Sequence, residues 1–231
     1  MNYEINETHD PNLKSWVESA NDPNTDFPIQ NLPFCVYRVN DSHQNERLGI
    51  VIGDKVLNIH GCYLSNLLDN VWSDDLDTFF AFPHDNLSVL SYNALDTSPF
   101  RSRLQKLLSE NVDEVTKQRM EANLVNQSDV EFSVPDIIGD YTDFYCSIYH
   151  ATNVGSMFRP EAPLLPNYKY VPIGYHGRAS SIVISGTDIK RPKGQNRSDA
   201  EAPPKFIPCK NLDYEMEVGF FVGQGNELGT S

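Results

Sequence analysis

The sequence predicts a mainly β fold with some α-helix, and three observations carry that expectation. Two short β-branched runs in RLGIVIGDKVLNI, residues 47–59, hinge on Gly53-Asp54, which is the signature of a hairpin with a turn of the primed kind. Further on, Leu104, Leu107, Leu108, Val112 and Val115 recur at helical spacing through LQKLLSENVDEV. From Asp140 onward Gly, Pro, aromatic and β-branched residues dominate, and the helical periodicity disappears.

Taken in order, DFPIQNLPFCVYRV from Asp26 supplies a strand at Pro33 to Val39, ahead of the hairpin. A small antiparallel sheet or barrel is therefore expected over roughly residues 30–60. Cys62 to Leu76 is moderately helical. A clearer helix starts at Ser98-Pro99, with Ser as the cap and Pro at the first helical position, and it fades around Asn126. The change of texture sets a domain boundary near Pro135. Residues 1–135 are expected to form an N-terminal β-barrel domain with helices, and residues 136–231 a second, β-rich region. Within the second region, Ser181 to Ser185 and NLDYEMEVGFFV (211–222) read as strands, and KRPKGQNRSDAEAPP as a polar loop. The chain stops at GQGNELGTS, immediately after a strand that would sit inside a sheet, so a fragment or truncated product is expected.

Composition narrows the function classes. The chain has 231 residues, and 39% hydrophobic with 11% aromatic residues is enough apolar material for a packed core. A formal net charge of -14 disfavours nucleic acid and anionic membrane as partners. The N-terminus MNYEINETHDPNLKSW lacks a basic region followed by an apolar run, and no apolar stretch approaches the roughly 20 residues that span a bilayer. A cytoplasmic protein is the expectation. Cys35, Cys62, Cys146 and Cys209 are scattered with no CxxC pair, so they read as reduced thiols.

Three runs carry the chemistry. If 211–222 is a strand, its period of two puts Asp213, Glu215 and Glu217 on one face and Leu212, Tyr214, Met216 and Val218 on the other. Converging carboxylates repel, so either one is protonated or a cation lies between them; a solvent-facing strand whose acids keep an edge soluble is the other reading. In DYTDFYCSIYHATNVGSMFR, residues 140–159, Asp143 can supply a third carboxylate, and His150 is a candidate proton-transfer group because imidazole titrates near working pH. In VPIGYHGRASS, residues 171–181, Tyr175, His176 and Arg178 lie in a Gly-flanked turn, with Tyr and Arg as donors for a carboxylate and His176 as a rival base.

At these runs, and at DFPIQNLPF, LLPNYKYVPIGYHGRASSIVISGT, RPKGQ and LDYEMEVGFFVG, the sequence resembles the fumarylacetoacetases of the fumarylacetoacetate hydrolase family. The resemblance implies a small N-terminal β-barrel of Src-homology type followed by a mixed β-roll catalytic domain, here incomplete, and a homodimer when full length. It implies a calcium or magnesium ion held by Asp143, Glu215 and Glu217, with His150 preferred over His176 as the general base. Tyr145, Arg159 and Tyr175 match substrate-contacting residues. The implied reaction is metal-dependent hydrolysis of a carbon-carbon bond in a small β-diketo acid, 4-fumarylacetoacetate, to fumarate and acetoacetate in tyrosine and phenylalanine catabolism. A further metal-binding Asp, a Lys, an Arg and a Glu that the resemblance implies have no counterpart here. A truncated, inactive form that at most binds an ion or partner, or a related acylpyruvase or decarboxylase, is the alternative.

Overall fold

The structure is a computed structural model that describes residues 5–40, 45–68, 74–92 and 96–230. The chain divides into two compact units, one made of residues 1–135 and 184–231, the other of residues 136–183.

The first unit is built on β1 (Phe34–Val39), β2 (Arg47–Ile52), β3 (Lys55–Asn58), β4 (Leu124–Asn126) and β5 (Val130–Ser133). Among the described residues these form one antiparallel sheet of order β4-β3-β2-β1-β5. Its two edges are consecutive in sequence, joined by a single 3₁₀ turn at Gln127–Asp129. Four residue steps reach at most about 14 Å, whereas the edges of a flat five-stranded sheet lie roughly 19 Å apart. The sheet must therefore curl, and the result is a half-barrel. The predicted hairpin is present, Ile52 opposite Lys55, and Gly53 takes the left-handed φ of 52° that a side chain resists. A Cβ there would also strike Ser19 and the backbone of Ala20.

Helices α1 (Ile59–Leu64), α2 (Asp74–Phe80), α3 (Ser88–Tyr92), α4 (Ser98–Leu108) and α5 (Glu114–Glu121) accompany the sheet. Part of the helical stretch expected over 62–76 lies outside the described residues; α1 begins earlier than expected because the Asn58 side chain accepts from the Gly61 amide at 3.0 Å. The helix expected from Ser98 to around Asn126 is two helices. Helix α4 stops at Leu108 because its last carbonyls have external donors: the Trp16 indole reaches Leu107 at 3.0 Å, and the Ser15 hydroxyl reaches Leu108 at 2.6 Å. Helix α5 starts where Asp113 accepts from Thr116 at 2.9 Å, and Val115 is left 69% exposed instead of on the core face. Leu104, Leu107 and Leu108 do face the core, with Ile50, Ile52, Leu57, Phe80 and Phe100. Gln105 is buried among them, and its amide donates to the carbonyls of Thr8 and Ile29 at 2.7 and 3.0 Å.

Three expectations for the later chain are corrected. Ser181 to Ser185 is not a strand; a 3₁₀ turn at Ala179–Ser181 precedes it. The expected polar loop at 190–204 contains a strand, β8 (Lys193–Asn196), which pairs with β9 (Lys205–Pro208) just beyond it. Residues 211–222 belong to no strand of the described sheets, and Tyr214 and Met216 are 90% and 92% exposed. Alternation alone does not make a strand, because the ladder needs a partner and an apolar face needs cover. No helix among the described residues is long and apolar enough to cross a membrane.

Candidate active site

Five of the seven predicted site residues lie in the 136–183 unit. Strand β6 (Thr142–Tyr145) pairs antiparallel with β7 (Ile173–His176), and Asp143 stands opposite Tyr175. Cross-strand partners share a face, as do alternate residues, so Asp143, Tyr145 and Tyr175 share one side of the ribbon. The Tyr175 phenol donates to Asp143 Oδ2 at 2.7 Å. Asp143 and Tyr145 are half-buried.

Helix α6 (Ile148–Phe158) follows directly and carries His150 in its first turn. Helical periodicity was not expected here. Ser147 caps the helix, its hydroxyl accepting from the His150 amide at 3.3 Å. The side chains this helix buries are Ala151 and, at Gly155, no side chain at all. Four residues apart, these short positions form one face without registering as an apolar stripe, which is why the pattern went unseen; the Ser147 cap and the spacing of four were the available signals. A Cβ on Gly155 would collide with the Pro163 carbonyl.

His150 is exposed and meets the Tyr145 ring edge-on, with centroids 5.8 Å apart and planes at 87°. Tyr145 also packs against Tyr168, 5.9 Å away. Tyr168 is the anchor of this corner: it is 6% exposed, its hydroxyl donates to the Tyr145 carbonyl at 3.1 Å, and desolvation raises its phenol above the ordinary value. Sequence reasoning had given Tyr168 no role. Arg159, the C-cap of α6, is exposed and donates to the Pro163 carbonyl at 3.2 Å. The rival imidazole, His176, has its Nε2 2.9 Å from Asp140 Oδ1 at the end of the ribbon.

Glu215 and Glu217 lie in the other unit, on the exposed 211–222 segment. A donor set of carboxylate oxygens alone has the chemistry of a calcium or magnesium site and lacks the nitrogen and sulfur ligands that zinc takes. Among the described residues, no three His, Cys, Asp or Glu side chains are grouped to hold a metal ion.

Comparison with known proteins extends this picture over the whole chain. Residues 30–135 match the family model described as fumarylacetoacetase N-terminal. The fumarylacetoacetase of Caenorhabditis elegans is 45% identical over 94% of this chain and 52% of its own length. Those of Arabidopsis thaliana and Homo sapiens are 43% and 41% identical over 94% and 93% of this chain, and each is covered over 51% of its length. The chain thus spans about half the length of the curated relatives it matches. That identity is sustained from the half-barrel through the Asp143–Tyr175 ribbon to the acidic segment, so the chain is similar to the fumarylacetoacetases over nearly all of its length.

Proposed function

We propose that this chain serves the metal-dependent hydrolysis of 4-fumarylacetoacetate to fumarate and acetoacetate, in tyrosine and phenylalanine catabolism. The observation that carries this reading is the gathering of Asp143, Tyr145 and Tyr175 on one ribbon face, with His150 against Tyr145. Asp143, Glu215 and Glu217 would hold calcium or magnesium, which when bound polarises the substrate carbonyl and offsets enolate charge. His150 removes a proton from the attacking water; the new bond forms at the carbonyl carbon, the carbon-carbon bond breaks with its electron pair leaving on the acetoacetate enolate, and that carbon takes up the proton as acetoacetate departs. Arg159, Tyr145 and Tyr175 bind the substrate's carboxylates and fix its orientation. A phenol has one proton, so Tyr175 donates either to Asp143, as here, or to the substrate.

A homodimer when full length and a cytoplasmic location are part of the same proposal, and the net charge of -14 speaks against nucleic acid or anionic membrane as partners. A second reading, a truncated, inactive form that at most binds an ion or a partner, is favoured by the chain spanning only about half the length of the relatives it matches.

Loss of fumarylacetoacetate absorbance with magnesium or calcium present separates the two. The proposed function requires turnover that falls about 10²- to 10⁴-fold in His150→Ala. Calorimetric binding of either ion, lost in Glu215→Ala and Glu217→Ala but accompanied by no turnover, selects the second reading. The absence of both ion binding and turnover removes the proposed function and leaves only a partner-binding form of the second reading.

A further inference from the structure

A second feature lies on the half-barrel and is independent of the catalytic reading. Strand β4 is an edge of the sheet among the described residues. In an antiparallel ladder, the backbone groups of successive residues alternate between facing the partner and facing away. The Asn58 amide donates to the Asn123 carbonyl at 2.9 Å, and the Gln127 amide to the Asp54 carbonyl at 2.8 Å, so Asn123 and Gln127 face β3. With Val125 opposite Val56 between them, the amides of Leu124 and Asn126 face outward.

Beside this edge lies a cleft of about 730 Å³. Its apolar lining includes Trp16, Leu124 and Val125. Its acidic lining is Glu18, Asp54, Glu121 and Asp129. These four carboxylates face one lining ammonium, Lys55, whose Nζ is already engaged by Asp54 at 3.1 Å and Asn126 at 2.6 Å. A second lysine shows what the Trp16 ring accepts: Lys117 Nζ sits 5.7 Å from its centroid and 3.9 Å from Glu121. An acidic cleft rejects nucleic acid and anionic lipid, while an open sheet edge selects an extended backbone.

We propose that this cleft docks an extended, basic peptide segment of a partner protein, which adds as a strand along β4 while its lysine or arginine side chains meet the carboxylates. Strand addition supplies main-chain hydrogen bonds through the outward amides of Leu124 and Asn126. The period of two then sends alternate peptide side chains into the cleft that the acids and Trp16 line. The partner's positive charge complements the local carboxylates, so association is faster and tighter at low ionic strength.

A fluorescein-labelled peptide of alternating valine and lysine, and its counterpart of valine and glutamate, are the probes, titrated against the whole chain by anisotropy. The basic peptide binds and the acidic one does not, and salt weakens the complex. Glu18→Gln and Glu121→Gln each weaken it about two- to fivefold. Asn126 has φ -73°, which proline accepts, so Asn126→Pro removes the outward amide and Asn126→Ala removes only the side chain. The proline variant binds about two- to tenfold more weakly than the alanine variant. In the unaltered chain, added peptide slows hydrogen exchange at the Leu124 and Asn126 amides, which keeps the test decisive if the proline variant misfolds. Equal binding of both peptides, equal affinity of the two Asn126 variants, or unchanged exchange at those amides overturns the proposal.

Discussion

At single residues, the environment of each polar group sets its chemistry. The Asp54 carboxyl is held below its ordinary 3.8 chiefly by the hydrogen bond from the Ser19 hydroxyl, and next by Lys55, with burial opposing. A depressed folded pKa contributes stability above the unfolded value that is lost as pH falls through the folded one. Urea unfolding of Ser19→Ala should therefore lose less stability than the unaltered chain on going from pH 5 to pH 3; an identical loss would remove Ser19 as the cause. Thiols follow burial instead. Cys35 and Cys62 are buried and pushed up to about 12, while Cys146 and Cys209 are exposed. A disulfide reagent at pH 8 should thus titrate two thiols quickly and the other two only after denaturant is added. Fast reaction of all four would show that the core opens readily.

Secondary-structure elements show how far pattern reaches. The β2–β3 hairpin was legible because Gly53 supplies a backbone conformation that the turn demands and few residues tolerate. The gathering of Asp143, Tyr145 and His150 in one short stretch was legible from residue types packed into twenty positions, but the β6–β7 pairing that sets Tyr175 against Asp143 is a long-range contact that no local period encodes. The 211–222 alternation was equally clear in sequence, yet it forms no strand here, since a ladder depends on a second segment. Helix α6 failed in the opposite sense, through the small residues on its packed side. Gly155→Ala tests that account with a sign reversal. Alanine is the better helix former by about 1 kcal/mol, but its methyl would enter the Pro163 carbonyl. The substitution should speed amide exchange across 148–158 and raise the exposure of Tyr168; slower exchange would show that propensity outweighs the contact.

Across the whole molecule, stability follows the distribution of buried apolar surface. Among the described residues, the buried hydrophobic side chains run from Val17 to Val130, and only Ala151 and Tyr168 are buried beyond them. The 136–183 unit therefore lacks the apolar burial that offsets the entropy of ordering some fifty residues at about 1–2 kcal/mol each. Its order rests on hydrogen bonds and on a few ring contacts such as Tyr145 with Tyr168. Exchange at the amides of β1, β2, β3 and α4 should be limited by global unfolding, while those of β6, β7 and α6 exchange through smaller openings. Leu108→Ala separates the two regimes. Leu108 is fully buried, and its truncation should cost about 2–5 kcal/mol. Exchange in the β1–β3 ladder should accelerate by the corresponding factor, with that of residues 142–176 unchanged. Acceleration by the same factor in both would mean that one cooperative transition governs the chain, and that the ribbon carrying Asp143 and Tyr175 draws its order from the half-barrel core.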